Sequence, residues 1–288
     1  MSIIIDFSGI SVSNIIAQKT GCDEDLIRHS ILNSIRMYNK KFRKEYGEVI
    51  IACDSRSWRK EFFPQYKFSR QKKRDKDTVL DWGGIYKIID KIKLELSEHF
   101  PYRVIQIPRC EADDIIGVLA QNSQEFGSHE KIMVVSADKD FIQLQKFNNI
   151  KQYSPLTKKF IVSDDPTKYL FEHIMKGDSS DGVPNVLSSD DTFVEKIRQS
   201  PMTKKKMSLY SSVDISKIGD IMDEEVYRNY IRNRKMIDLE YIPEELKNKI
   251  SQVYKESENK NSNESGKILN YLVKNRCKML IECLDEFL

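Results

Sequence analysis

Apolar positions in the first half of the chain gather into short runs separated by longer amphipathic stretches. Ser2 to Ile5, Val49 to Cys53, Val104 to Ile107 and Ile132 to Val135 are nearly continuous and rich in Val and Ile. Such runs predict buried strands. Residues 24–45 place Leu26, Ile27, Ile31, Ile35 and Tyr38 on one helical face, and 79–99 do so with Ile85, Ile88, Ile89, Ile92 and Leu96. Phe7-Ser8-Gly9 reads as a break after the first strand. Ile115-Ile116 and Val118-Leu119 have helical spacing. Phe141 to Gln145 predicts a short helix, and Ile150 to Tyr153 with Phe160 to Val162 a hairpin around Pro155. Asp165-Pro166 supplies an N-cap and a proline at the first helical position, for a helix that stops at Gly177. Beyond about 190 the texture is helical. Pro243 starts a helix, 256–266 is a polar loop, and Lys267 to Phe287 forms a last helix carrying Leu269, Leu272, Leu280 and Leu284.

The polar residues that close the strands change the picture. Three runs end at an acid: Asp6, Asp54 and Asp138. A single Asp there is ordinarily a turn or a helix cap. Here the three accompany Glu111-Ala112-Asp113-Asp114, where a strand hands over to a helix, and Asp138-Lys139-Asp140. Three acids among four residues exceed what capping asks for. The carboxyl edge of an open parallel α/β sheet is where ligands bind. Crowded carboxylates raise one another's pKa unless a cation sits among them, and hard oxygen donors favour Mg²⁺ or Mn²⁺. The five cysteines include no Cys-x-x-Cys pair and the four histidines are isolated, so a metal would be held by carboxylates. Gly177-Asp178-Ser179-Ser180-Asp181 adds two more acids in what composition alone reads as a turn.

Residues 56–76 differ in kind. Arg56, Arg59, Lys60, Lys67, Arg70, Lys72, Lys73, Arg74 and Lys76 oppose only Glu61 and Asp75, and Trp58, Phe62, Phe63, Tyr66 and Phe68 interleave with them. Cations for phosphates and rings for bases suit a single-stranded nucleic acid path. The alternative is a surface helix with its own apolar stripe. Ser69 to Asp77 has no apolar anchor and is expected to be mobile. The chain of 288 residues is 40% apolar and 32% charged with net charge +3, so any nucleic-acid signal lies in the distribution of charge. No run reaches the length of a membrane span, no signal peptide is recognisable, and scattered thiols fit a reducing cytoplasm.

The motifs can now be put side by side. Ile5-Asp6-Phe7-Ser8, Ala52-Cys53-Asp54, Glu111-Ala112-Asp113-Asp114, Ser136-Ala137-Asp138-Lys139-Asp140-Phe141 and Gly177-Asp178-Ser179-Ser180-Asp181 occur in the order and rough spacing of one family. In them the chain resembles the flap endonuclease family of structure-specific 5′-nucleases, most nearly its bacteriophage members. Trp58-Arg59-Lys60-Glu61-Phe62, Leu80-Asp81-Trp82 and Gln152-Tyr153-Ser154-Pro155 add to the match. The resemblance implies an α/β fold: a parallel-sheet nuclease core flanked by helices over 1–165, with a basic helical arch at about 56–80. A smaller, all-helical carboxyl-terminal region would span 166–288, complete the metal site and contact duplex DNA or partners.

The resemblance further implies a 5′-to-3′ exonuclease and flap endonuclease acting on RNA·DNA and DNA·DNA duplexes and removing primers during lagging-strand synthesis. Asp6, Asp54, Glu111, Asp113 and Asp138 would surround one Mg²⁺, and Asp140, Asp178 and Asp181 would help hold a second, with Mn²⁺ able to substitute. Asp113, Asp138 and Lys67 would be catalytic. Arg59, Tyr66, Lys67, Arg70, Lys72, Lys73 and Arg74 would meet nucleic acid. Substrates would be RNA·DNA hybrids, flaps and nicked duplexes. Single-strand-binding protein and the sliding clamp of a phage replisome are candidate partners of a monomer in the host cytoplasm. Val186 to Lys196 lacks the glycine pattern with which many members grip duplex DNA and bind potassium. Asp6 follows Met1 almost directly, so a clamp contact through an acidic leader is not expected. From the residues alone, a single-strand ribonuclease on a similar sheet, a non-catalytic nucleic-acid-binding protein and an aspartyl-intermediate phosphatase stay open. The last lacks the first-strand Asp-x-Asp, because Phe7 and Ser8 follow Asp6.

Overall fold

The computed structural model describes residues 1–18, 21–124, 129–257 and 265–288. In chain order its elements begin with β1 (Ser2–Asp6), α1 (Phe7–Gln18), α2 (Glu24–Tyr46), β2 (Glu48–Cys53), α3 (Arg59–Phe62), α4 (Phe68–Asp75), α5 (Trp82–His99), β3 (Arg103–Gln106) and α6 (Ala112–Asn122). They continue with β4 (Ile132–Val135), β5 (Ile150–Ser154), β6 (Lys159–Ile161), α7 (Pro166–Lys176), α8 (Lys204–Ser211), α9 (Glu224–Ile237), α10 (Glu244–Glu256), α11 (Ser265–Lys274) and α12 (Lys278–Ile281). No helix among the described residues is long and apolar enough to cross a membrane.

The chain divides into two compact units: Met1–Arg56 with Thr78–Val162 and Glu244–Leu288, and Ser57–Asp77 with Ser163–Pro243. This departs from a division near 165. The C-terminal segment belongs to the sheet unit because Leu272, Leu280 and Phe287 complete the apolar face of α2 and α5. Tyr102 Oη donates to the Phe287 carbonyl at 3.1 Å and Asn39 Nδ2 to that of Glu286 at 2.9 Å. The basic stretch belongs to the helical unit because Phe63 and Tyr66 join its core.

The sheet runs β3-β2-β1-β4-β5-β6, parallel through β5 and antiparallel at β6. Its inner strands β2, β1, β4 and β5 are almost wholly buried, as a sheet covered on both faces requires, while the edge strands β3 and β6 are partly exposed. Succession moves outward one way from β1 to β3 and the other way from β4 to β6. The reversal therefore falls between β1 and β4, where Ile5 pairs with Val135. Asp6 closes β1 and Asp138 follows β4, so two of the candidate acids flank this crevice.

Several local expectations are corrected. Phe7-Ser8-Gly9 does not break the chain but starts α1, because Asp6 Oδ1 accepts the Gly9 N–H at 2.8 Å and caps the helix. Leu26 is 42% exposed, because the buried face of α2 follows Ile27, Ile31 and Ile35 instead. Residues 68–75 form helix α4, within the stretch expected to be a helical arch. The final helix is broken: Arg276 adopts φ 54°, and the Cys277 N–H returns to the Leu272 carbonyl, closing α11 before α12 begins. Most of the predicted polar loop at 256–266 lies outside the described residues.

In the helical unit, Asp165 caps α7 through the Lys168 N–H at 2.9 Å and Gly177 ends it, as expected. Three side chains of α9 then hold the loop at 184–190. Asn233 Nδ2 donates to the carbonyls of Ile174 and Pro184, and Asn229 Nδ2 to those of Val186 and Ser188. The buried Arg232 guanidinium donates to Pro184 at 2.9 Å, to Asn185 at 3.3 Å and to the Asp190 carboxylate. Gly177 sits at φ 67°, ψ −178°, a region closed to side chains, and a Cβ there would lie 2.4 Å from the Val183 carbonyl oxygen. Gly177→Ala is expected to destabilise this unit by about 2–3 kcal/mol, read as an earlier transition in urea. An unchanged midpoint would count against the clash.

Candidate metal centre and nucleic-acid interface

The sheet brings the candidate acids of its unit to one edge. Asp6 is 9% exposed at the end of β1, and its two oxygens take the Gly9 N–H and the Ser136 hydroxyl, the latter at 2.9 Å. A Cβ on Gly9 would meet Asp6 Oδ2 at 2.4 Å, so glycine is what lets the carboxylate lie over the helix start. Asp54 follows β2 and accepts the Ala112 N–H at 2.7 Å, which fastens the second strand to the first turn of α6. Glu111 and Asp113 flank that amide.

The acids at the start of α6 differ in what they hold. Asp114, fully buried, accepts the Glu111 N–H at 2.9 Å and makes the capping box with Glu111. Asp113, half-buried, is not part of that box. Beyond β4, Ser136 Oγ also accepts the Asp138 N–H at 3.1 Å, and Asp138 Oδ1 accepts that of Asp140 at 2.9 Å. Gln152 of β5 donates to the carbonyls of Ser136 and Asp138. Gly9, Ser136 and Gln152 are therefore supports that the reading of acids alone passes over. Ser136 in Ser-Ala-Asp offered a signal, because a hydroxyl two residues before an Asp is placed to accept its N–H.

Burial, and next the charges of Asp54 and Asp138, push the Asp6 carboxyl up to about 6 from 3.8, against its two hydrogen bonds. A crowded, hard-oxygen site of this kind fits a divalent cation of the Mg²⁺ or Mn²⁺ type. The same shift gives a test on stability. With its pKa raised in the folded state, Asp6 costs nothing below the unfolded value of 3.8, and the cost grows until pH passes about 6. Above that it reaches at most about 3 kcal/mol. In EDTA, Asp6→Asn should raise the melting temperature at pH 8 and leave it unchanged at pH 4, with the amide oxygen still capping Gly9. Equal shifts at both pH values would show that charge is not the cause.

The helical unit holds the remaining candidates. Asp178 Oδ1 accepts the N–H groups of Ser180 and Asp181, and Asp178 Oδ2 lies 3.8 Å from His173 Nε2. Asp181 is buried against the basic stretch: it accepts from Tyr66 Oη at 3.1 Å, pairs with Arg70, and lies 3.6 Å from Lys67 Nζ. Lys67 itself takes a left-handed backbone, φ 57°, fixed by its N–H to the Asp181 carbonyl at 2.7 Å. A non-glycine residue held there is a mark of constraint.

Two expected nucleic-acid contacts are placed otherwise. Arg59 is buried, with Nε donating to the Met236 carbonyl at 2.9 Å and its guanidinium over Trp58. Tyr66 is buried and spends its hydroxyl on Asp181. Both arise because the stretch packs its apolar stripe into the core of its unit, with Trp58 and Phe63 also interior. Arg70 is partly exposed and also donates to Ser180, while Lys72 and Lys73 are exposed on α4 beside Arg74.

Comparison with known proteins adds the following. Residues 14–172 match the family model described as the 5′-3′ exonuclease, N-terminal resolvase-like domain, and residues 166–287 match the T4 RNase H, C terminal model. Ribonuclease H of Enterobacteria phage T4 is 32% identical over 99% of this chain and 95% of its own length. The exonuclease of Escherichia phage T7 is 29% identical over 66% of this chain and 61% of its own length. Among solved structures, bacteriophage T5 flap endonuclease in a complex with DNA and metal ions superposes with a TM-score of 0.64 at 15% identity, covering 90% of this chain and 99% of that one. At that identity the superposition speaks for the fold.

Proposed function

Because the chain belongs to the 5′-3′ exonuclease family and carries a C-terminal domain of the T4 RNase H type, we propose that it is a divalent-metal-dependent, structure-specific 5′ nuclease of replication. Its substrates are 5′ flaps, nicked duplexes and RNA·DNA hybrids, and its task is removal of RNA primers. The observation that carries the metal requirement is the Asp6 carboxyl, which burial first and then the nearby charges of Asp54 and Asp138 push upward. Asp6, Asp54, Glu111, Asp113 and Asp138 hold the first ion, which is Mg²⁺ with Mn²⁺ as a substitute. Asp178 and Asp181 serve a second. A bound divalent ion supplies positive charge to phosphate oxygens and acidifies water.

The chain's own groups do the rest. The Ser136 hydroxyl and the Gly9 amide keep Asp6 in one orientation. Asp54 is fixed by the Ala112 amide. Lys67 brings charge to the scissile phosphate as negative oxygen builds up, and α4 offers Lys72, Lys73 and Arg74 to the strand that carries the 5′ end. The sequence shows no base-reading motif, so recognition is of shape and of free 5′ ends.

The test is digestion of a labelled 5′ flap and of a matching RNA·DNA hybrid. Products should be released from the 5′ end in Mg²⁺ and not in EDTA. Cleavage persisting in EDTA would end the metal reading, and failure on both substrates would end the nuclease reading.

A further inference from the structure

Trp58, Phe63 and Tyr66 are interior, so of the rings in the basic stretch it is Phe62 (44% exposed) and Phe68 that face outward. Phe62 does not stand alone. With α9 it forms a concave pocket of about 500 Å³ whose walls are Phe62, Phe63, Tyr227 and Ile231 and whose rim carries Arg228 and Lys235. Tyr227 is 41% exposed. Lys235 Nζ lies 4.6 Å from the centre of the Phe62 ring. The one acid of the lining, Asp190, is paired with both Arg228 and Arg232, so the pocket keeps a positive balance.

Two large rings, Phe62 and Tyr227, are left partly in water on one concave surface beside cations. Planar apolar faces bind bases of any sequence, and cations at the rim take the phosphate of the same nucleotide. An acidic peptide would use the cations and leave the flat faces without a role. The volume falls in the range of small-molecule sites.

We propose that this pocket receives one unpaired nucleotide of the substrate's single strand, the base against Phe62 and Tyr227 and the phosphate at Arg228 and Lys235. The inference rests on the nuclease reading and extends it, since Tyr227, Arg228 and Lys235 lie far in sequence from the basic stretch.

The experiment uses the full chain in Ca²⁺ with 5′ flaps carrying 2-aminopurine at successive flap positions. Wild-type protein should quench the probe at one position. Phe62→Leu and Tyr227→Leu, each keeping an apolar side chain at an exposed position, should each abolish that quench and weaken flap binding about 10-fold. Affinity for a blunt duplex should not change, and unaltered melting shows that the fold is intact. The pocket is overturned if no flap position is quenched, if the quench survives both substitutions, or if flap and blunt duplex weaken alike. Cleavage of the same flap in Mg²⁺ separates the two readings: a protein that cleaves without a quench loses the pocket alone, and one that neither cleaves nor binds loses both.

Discussion

Asp113→Asn is expected to abolish cleavage of a 5′ flap while leaving its affinity in Ca²⁺ within about two-fold, on the reasoning that charge is lost from the metal site but not from the basic path. The structure makes this substitution cleaner than its neighbours. Asp114 is buried and caps α6, and Glu111 shares that box, so changing either would also loosen the helix. Asp113 lies in the first turn without a part in the box, where Asn is tolerated. The fall in single-turnover rate should be about 1000-fold or more, the scale on which preorganised charge at a reacting centre acts. Asp114→Asn is the contrast: it should lower the melting temperature first. If Asp113→Asn cleaves at a tenth of the wild-type rate, Asp113 is not a ligand and the helix start is only a cap.

Lys67→Ala is expected to lower the saturated single-turnover rate by about 100-fold with little change in affinity. A lysine that only holds phosphate contributes equally before and during reaction, so its loss weakens binding and spares the chemical step. Lys67 is fixed in a left-handed backbone by the hydrogen bond from its N–H to the Asp181 main-chain carbonyl, and its ammonium lies 3.6 Å from the Asp181 carboxylate. Alanine has the same backbone preference against φ 57°, so the comparison isolates the side chain. Lys73 on the exposed face of α4 is the reference. Lys73→Ala should weaken binding and reduce its salt slope by about one, leaving the chemical rate intact. Identical behaviour of the two variants would return Lys67 to the ranks of ordinary phosphate contacts.

The strands were legible because each is a short apolar run, and a run of that kind buried on both faces needs no partner to be recognised. Their order was not. Which strand lies beside which depends on pairing across the chain, and the position of the reversal between β1 and β4 is visible only from the register. Helix α1 was hidden for a related reason: its cap is Asp6, a residue already conspicuous as a candidate ligand, which drew attention from its capping role. The acids of the sheet edge were legible as a set, since three strands ending in Asp is a local signal. Their supports were less so: Ser136 announces its bond to the Asp138 N–H by spacing but not the one it donates to Asp6, and Gln152 acts through contacts that no spacing announces. The basic stretch was read for its composition, and composition could not tell Phe62, which faces outward, from Phe63 beside it, which is buried in the core.

The loop at 184–190 is gripped through its carbonyl oxygens by Asn229, Arg232 and Asn233. Every amino acid brings the same carbonyl, so apart from the Asp190 carboxylate, which Arg232 also holds, the grip does not depend on which side chains the loop carries. Memory of the loop's shape is thus stored forty-odd residues away, on α9. Among descendants of this chain, exposed loop positions such as Ser189 can drift, and can acquire new contacts with a substrate, without the loop losing its course. Positions 229, 232 and 233 cannot drift in that way. A lineage could in this manner retune what the loop touches while inheriting how it is held.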